Sequence, residues 1–536
     1  MRKPICYFLE TALVFTLCLA IQHLGLSNEP TPMAGDTIEI PNPGLEDRHK
    51  DWMISDNGDW CSDGAHQGTT CALINSASDA RIARCVLCSP KLPQVQPGMK
   101  VRVIFYARWL SGDNLVHITF HEDDPYWISE IPLWQAQIPK DGHWHRMQAD
   151  LHVPPFLHGE TALRLCVGVT NLRWPADADV KNTEYLLDDI SMTVLEAGKP
   201  AIPARPIVPS FQKDDPRDEP SSYGVFWTAW KTYCRTPISE PHQYDKTRDE
   251  IRRELDLMQQ IGVKWIRTIW RWDKLEWERG KFDFALLDFV VAEAWRRDIR
   301  IVPALTTPPR WASPAPQDDD EYNIYPPNMA DWEAFVFHTV DHFKERVKYW
   351  EIWNEPNIQD RWNGSIEDYF QLQKAAFLAA RRADPRSKLL MGSFSGAPAY
   401  HLDALLRLGA GDYFDVLSYH PYPRKHGLKK VDYLTRRMRA VLAEHGCEDH
   451  PIWFTEIGCK VVNAGSPEER AQFLADLYKH PLEGAVEKRF WFTFDIWRKR
   501  PDGMGHGLIN TSEDPIQLCP AYHAYGKVTG KSLGRD

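Results

Sequence analysis

Tyr349-Trp350-Glu351-Ile352-Trp353-Asn354-Glu355-Pro356-Asn357 is the stretch on which the reading of this chain turns. It is apolar and aromatic apart from its glutamates and asparagines. Pro356, with no N–H to give a sheet, ends it as a strand. A side-chain period of two puts Tyr349, Glu351, Trp353 and Glu355 on one face. A carboxylate at the end of an apolar strand is costly unless it has a partner or a task. Further on, Ile452-Trp453-Phe454-Thr455-Glu456-Ile457-Gly458 repeats the pattern and ends in a glutamate too.

Outward from these two stretches, short apolar runs alternate with amphipathic segments. The runs are Tyr223–Ala229, Val263–Trp270, Arg300–Thr306, Lys348–Asn354, Lys388–Phe394, Phe414–His420, Pro451–Ile457 and Arg489–Asp495, which makes eight strands. Between the first two, Ile251, Leu255 and Met258 share a helical face and Gly262 closes the helix. Trp332, Phe335, Val336, Thr339 and Phe343 mark another helix. Eight β–α repeats over residues 221–530 predict a (β/α)₈ barrel, an α/β fold. A doubly wound sheet is the alternative, but it calls for a Gly-rich phosphate loop after its first strand, and none is visible.

In such a barrel the active site lies at the C-terminal ends of the strands. Strands four and seven lie roughly across the mouth, so Glu355 and Glu456 can face each other there. Two facing carboxylates are what glycoside hydrolysis needs, held about 5–5.5 Å apart in a retaining enzyme. One, ionised, attacks the anomeric carbon. The other, held protonated by its charged neighbour, protonates the leaving oxygen and then activates water. Trp227, Trp270, Trp311 and Trp497 sit at or just past strand ends, where they can stack on sugar rings or pack the wall. The acidic run Asp318–Glu321 reads as a solvated loop. The carboxylates supply the proton chemistry, so no metal or organic cofactor is expected.

Trp-Asn-Glu-Pro at 353–356 with Thr-Glu at 455–456 resembles clan A of the glycoside hydrolases. The resemblance runs from about residue 221 to 530. Gly262-Val263-Lys264-Trp265-Ile266-Arg267, Pro308-Pro309-Arg310-Trp311-Ala312, Ser418-Tyr419-His420-Pro421-Tyr422 and Gly507-Leu508-Ile509-Asn510 are most similar to family 39 and its relatives. That family includes β-xylosidases, α-L-iduronidases and bacterial enzymes acting on exopolysaccharides. The resemblance implies Glu355 as acid/base and Glu456 as nucleophile. It implies that Asn354 bonds the sugar 2-hydroxyl, that Arg267 supports the nucleophile, and that His420 and Tyr422 line the subsite near Glu456. A buried ion pair between Arg267 and Glu351 is the alternative for that arginine.

Residues 36–196 read as an all-β sandwich of short alternating runs, such as Val101–Trp109, Leu115–Phe120 and Tyr185–Leu195. Asn42-Pro43-Gly44-Leu45-Glu46 and Leu187-Asp188-Asp189-Ile190-Ser191 resemble the first and last strands of jelly-roll carbohydrate-binding modules. Trp109, Trp127, Trp134 and Trp144 are candidates for a sugar platform, with a purely structural sandwich as the alternative. Six prolines between Pro200 and Pro220 make residues 197–220 read as an extended linker.

Arg2 and Lys3 precede an apolar stretch from Thr11 to Leu26, so residues 1–27 read as a signal peptide or an uncleaved N-terminal anchor. Export to the cell envelope or beyond follows. It allows one or two disulfides among Cys61, Cys71, Cys85, Cys88 and Cys166. Cys85-x-x-Cys88 lacks the second close pair that a zinc site needs. A net charge of −11 without a basic stripe argues against a nucleic-acid partner, and the glycosidase reading implies a carbohydrate partner. Two readings stay beside a retaining glycosidase. One is a carbohydrate-binding or scaffold protein on an inactivated barrel, and the other is transglycosylation by the same residues.

Overall fold

The computed structural model describes residues 32–47, 51–54, 58–75, 84–122, 134–154, 162–170, 183–198, 209–230, 245–423, 427–459, 464–482, 486–495, 507–511 and 515–531. The leader reading of residues 1–27, Trp127 and Trp497 lie outside them. The chain divides into two units.

The first unit is all-β. Its strands are β1 (Thr37–Ile38), β2 (Met53–Ile54), β3 (Asp59–Cys61), β4 (Cys71–Asn75), β5 (Arg84–Cys88), β6 (Lys100–Ser111), β7 (Leu115–Glu122), β8 (Trp134–Gln137), β9 (His145–His152), β10 (Leu163–Thr170) and β11 (Glu184–Glu196). They form two antiparallel sheets, β3-β4-β11-β6-β9 with β1 on β11, and β2-β5-β10-β7-β8. Alternation decides the inner faces: Val101, Val103, Phe105 and Ala107 of β6 and Val116, Ile118 and Phe120 of β7 are fully buried. Cys88 and Cys166, register partners on β5 and β10, form a disulfide, which takes Cys88 out of any zinc site.

The second unit is a closed parallel barrel. Its strands are β12 (Tyr223–Phe226), β13 (Trp265–Arg271), β14 (Arg300–Thr306), β15 (Tyr349–Ile352), β16 (Lys388–Ser395), β17 (Val416–His420), β18 (Ile452–Ile457) and β19 (Val486–Trp491), with β19 pairing back onto β12. All eight apolar runs of the sequence carry one of these strands. Helix Arg248–Gln260 starts at a Thr247/Glu250 capping box and buries Ile251, Leu255 and Met258. Helix Met329–Phe343 buries Trp332, Phe335, Val336, Thr339 and Phe343.

The barrel interior is layered. Near the N-terminal ends of the strands, Trp265, Val302, Tyr349, Leu390, Val416, Trp453 and Phe490 form a buried floor. Phe226, Ile269 and Ala304 pack in a second cluster, with Phe492 against it. These layers make the base rigid and leave the polar residues to the C-terminal end.

Below the floor lies a departure from the sequence reading. From residue 209 the proline-rich stretch is not a free linker but part of the barrel. Asp218 pairs with Lys348 at 2.6 Å and accepts from the Tyr349 hydroxyl. Arg217 pairs with Asp215 at 2.8 Å and Asp384 at 2.5 Å, and Ser210 bonds Glu487. Proline density reports only that the stretch has few ladder donors. The charges Asp215, Arg217 and Asp218 found partners at the barrel base, which no local pattern announces.

Candidate active site

Arg267, in the middle of β13, is completely buried. Nothing about a strand interior favours that, so its five donors must be met. Its Nε donates to Glu351 Oε2 at 2.6 Å and its Nη1 to Glu456 Oε1 at 2.5 Å. Its Nη2 donates to Asn354 Oδ1 and to Ser393 Oγ, both at 2.7 Å. The guanidinium also lies 5.3 Å from the Phe226 ring centre. One arginine thus ties β13 to β15, β16 and β18. The two readings of Arg267 are both present, since it pairs with Glu351 and with Glu456 at once.

The period-two expectation for strand four holds through Glu351 and then fails. β15 ends at Ile352, and Trp353 and Glu355 have left-handed backbones with φ of 69° and 54°. Trp353 N donates to Leu305 O and Glu355 N to Ser393 O, both at 3.0 Å, which holds this backbone in place. Trp353 therefore leaves the inner face. Its indole N–H donates to Arg361 O at 2.8 Å, and its ring packs edge-on to Trp362. Asn354 and Glu355 turn in instead. A bulge in β16 does the same for Ser393, which follows Gly392 at φ 115°. A Cβ on Gly392 would lie 2.5 Å from Ser418 O, so only glycine fits there.

His420, at the end of β17, stands between the two terminal glutamates. Its Nδ1 is 3.0 Å from Glu355 Oε1 and 3.6 Å from Glu456 Oε2. Its Nε2 is 3.2 Å from Ser393 Oγ. One ligating atom of each of Glu355, His420 and Glu456 lies within 4.8 Å of the others. The Tyr422 hydroxyl donates to Glu456 Oε2 at 2.9 Å. Ser418 Oγ donates to Glu351 Oε1 at 2.8 Å, completing the support under Arg267.

The charge state of Glu355 differs from expectation. Burial raises its carboxyl, but the hydrogen bond and charge of His420 and the charge of Arg361 outweigh burial, so it stands below the usual carboxylate range. Arg361 Nε is 3.8 Å from Glu355 Oε2. In the open site, then, Glu355 is not held protonated by the charge of Glu456.

Asn354 keeps an unused donor. Arg267 uses its Oδ1, while its buried Nδ2 has no hydrogen-bond partner among the described residues. The arginine donor also fixes which way the amide points. A buried N–H₂ left over beside two carboxylates is a donor waiting for a hydroxyl.

The tryptophans anticipated at the mouth are mostly packed. Trp270 is fully buried on the outer side of β13 against Phe343 and Trp350, so it is wall and not a sugar platform. An even position on that strand points to the helices, whereas the odd Arg267 points inward. Trp227 is fully buried, with its N–H on Glu254 and Lys246 over its ring. Trp311 faces Arg279 at 4.8 Å, and its N–H is taken by the carbonyls of Glu276 and Trp277. In the sandwich, Trp144 bonds Gly64 O and packs edge-on to His66. Trp109 bonds Gly112 O, and Trp134 lies edge-on to Phe105. Sequence reading missed Ser393, Ser418 and Arg361. Ser393 lay in a strand-end run and could have been found by position. Arg361 lies in a loop with no periodic signal.

Residues 215–446 match the family model for glycosyl hydrolases family 39. A β-xylosidase of Caldicellulosiruptor saccharolyticus is 33% identical over 252 residues, which cover 39% of this chain and 49% of that protein. A β-xylosidase of Geobacillus stearothermophilus is 28% identical over 120 residues, 20% of this chain and 24% of its own. The chain thus spans about half the length of the first of these relatives. Among solved structures, a family 39 glycoside hydrolase from Bacteroides cellulosilyticus WH2 aligns over 81% of this chain and 78% of its own, at 18% identity and a TM-score of 0.47.

Proposed function

We propose, from a barrel that belongs with the family 39 glycoside hydrolases of clan A, that this chain is a retaining glycoside hydrolase. Glu456 is its nucleophile and Glu355 its acid/base. The observation that carries this reading is the spacing. An oxygen of Glu355 and one of Glu456 lie within 4.8 Å, which suits the short carboxyl separation of a retaining enzyme and direct attack by one of the pair.

Each carboxylate has the surroundings its role needs. Glu456 accepts from Arg267 and from Tyr422, which favours its ionised form and aims it. Its oxygen bonds to the anomeric carbon as the glycosidic C–O bond breaks. The leaving oxygen takes the proton of Glu355. Glu355 Oε1 lies 3.0 Å from His420 Nδ1, and substrate closing the site favours the protonated carboxyl by excluding water. Water then gives its proton to Glu355 and its oxygen to the anomeric carbon, and the bond to Glu456 breaks. The free Asn354 N–H₂ donates to the 2-hydroxyl, a bond that strengthens in the transition state.

Azide rescue tests the roles. Glu456→Ala should abolish turnover and recover, with azide, a product of inverted configuration. Glu355→Ala should still form the glycosyl-enzyme from substrates with good leaving groups, and azide should give retained configuration. Swapped stereochemistry reverses the assignment, and full activity in either folded variant ends it.

The substrate we propose is an oligo- or polysaccharide, with β-xylosidic chains as the first probe, since the relatives above are β-xylosidases. The sandwich is proposed as a carbohydrate-binding module. Export is proposed from the basic start and apolar run of residues 1–27, and the Cys88–Cys166 disulfide supports it. Full-length protein beginning at Met1 in a cytoplasmic fraction would reject export.

A further inference from the structure

Most tryptophans near the barrel mouth are packed away, but Trp277 is 54% exposed. It lies just past the helical turn Trp272–Leu275, in the loop leaving the C-terminal end of β13. That is the end of the barrel at which β15 and β18 deliver Glu355 and Glu456. Among the described residues its ring meets no other ring and its indole N–H has no acceptor.

The loop beneath it is rigid. Glu276 accepts from Gly280 N at 2.7 Å and from the Trp272 indole at 2.8 Å. Trp311 donates to the carbonyls of Glu276 and Trp277 at 3.2 and 3.1 Å. Arg279 lies over Trp311 and reaches Asp331 at 2.9 Å. Glu278 and Lys281 bridge the turn, with Gly280 at φ 77°. So much hydrogen bonding fixes the backbone that carries a ring left about half exposed. Leaving an indole in water forgoes the free energy of burying it, and a rigid aromatic face loses little entropy when something covers it. A pyranose ring, with an apolar C–H face and a polar rim, is the ligand suited to half-cover it.

We infer that Trp277 is a stacking platform for a sugar ring lying outside the pair of glutamates, so that the substrate is a chain of several sugars. This rests on the glycosidase reading above. Trp311, anticipated as a platform, is the brace that holds Trp277 in position.

The test compares full-length wild type, Trp277→Ala and Trp277→Phe on an aryl glycoside and on an oligosaccharide ladder from disaccharide to hexasaccharide. The ladder is made from the polysaccharide that the wild type cuts, beginning with xylan. Trp277→Ala should lower kcat/KM on the long members by about ten-fold, chiefly through KM, and change the aryl glycoside by less than about two-fold. Phenylalanine should recover most of the loss, and thermal stability should not move. An equal loss on both substrates overturns the inference, as does no loss on long chains. So does a wild type that gains nothing in kcat/KM from added sugars. If the wild type cleaves no glycoside at all, the inference falls with the glycosidase reading, a failure that the azide experiment registers separately.

Discussion

Replacing Arg361 with methionine should extend activity to higher pH. Its Nε lies 3.8 Å from Glu355 Oε2. At such a distance two unit charges interact by about 1 kcal/mol in bulk water and by about 4 kcal/mol at an effective dielectric of 20. The two side chains are 21% and 14% exposed, so water screens part of this, and about 1–2 kcal/mol remains. Arg361 favours the ionised carboxylate and helps to hold Glu355 below its usual range. The acid step needs the protonated form, so activity falls as pH rises through that pKa. Removing the cation raises the pKa and should move the basic limb of kcat/KM to higher pH. An aryl glycoside with a poor leaving group is the right substrate, because good leaving groups need no acid. The displacement of the limb between variant and wild type is the readable quantity. Arg361→Lys keeps a charge and should leave the limb nearly in place. A folded Arg361→Met enzyme whose basic limb coincides with that of the wild type, or moves down, refutes the reasoning.

Tyr422→Phe removes one hydrogen bond to Glu456, the proposed nucleophile, worth about 1.5–3 kcal/mol to a charged acceptor, so kcat/KM should fall by about 10- to 100-fold at unchanged melting temperature; wild-type rates would reject that role. Asn354→Ala should slow a normal glycoside far more than its 2-deoxy analogue, and equal losses on the two would remove the 2-hydroxyl contact. Asp218→Ala leaves Lys348 buried without that carboxylate and should destabilise the barrel by about 3–5 kcal/mol in denaturant unfolding. Limited proteolysis of the wild type should spare residues 209–220, and a cut there that leaves the barrel equally stable would return them to the linker.

The sequence by itself determined the architecture and pointed to the two glutamates on which the proposed chemistry rests. Eight apolar runs spaced by amphipathic segments call for a parallel sheet covered on both faces, because parallel strands need crossovers, and the lack of a Gly-rich loop after the first strand favours the closed barrel over a doubly wound sheet. Glu355 and Glu456 were legible because a carboxylate ending an apolar strand is anomalous on local grounds alone. Tertiary structure decided what local periodicity cannot carry. The left-handed backbones at Trp353 and Glu355 broke the alternation, sending Trp353 into the wall and bringing Asn354 and Glu355 to the centre. Trp270 looked like a mouth residue because it ends a strand run, and its position on the strand's outer face put it against helix Met329–Phe343. The imidazole of His420 between two carboxylates, the cation of Arg361 beside one of them, and the partners of Asp218 beneath the floor are contacts between segments far apart in the chain. Their energies depend on distance and burial in three dimensions, and no window of sequence contains either.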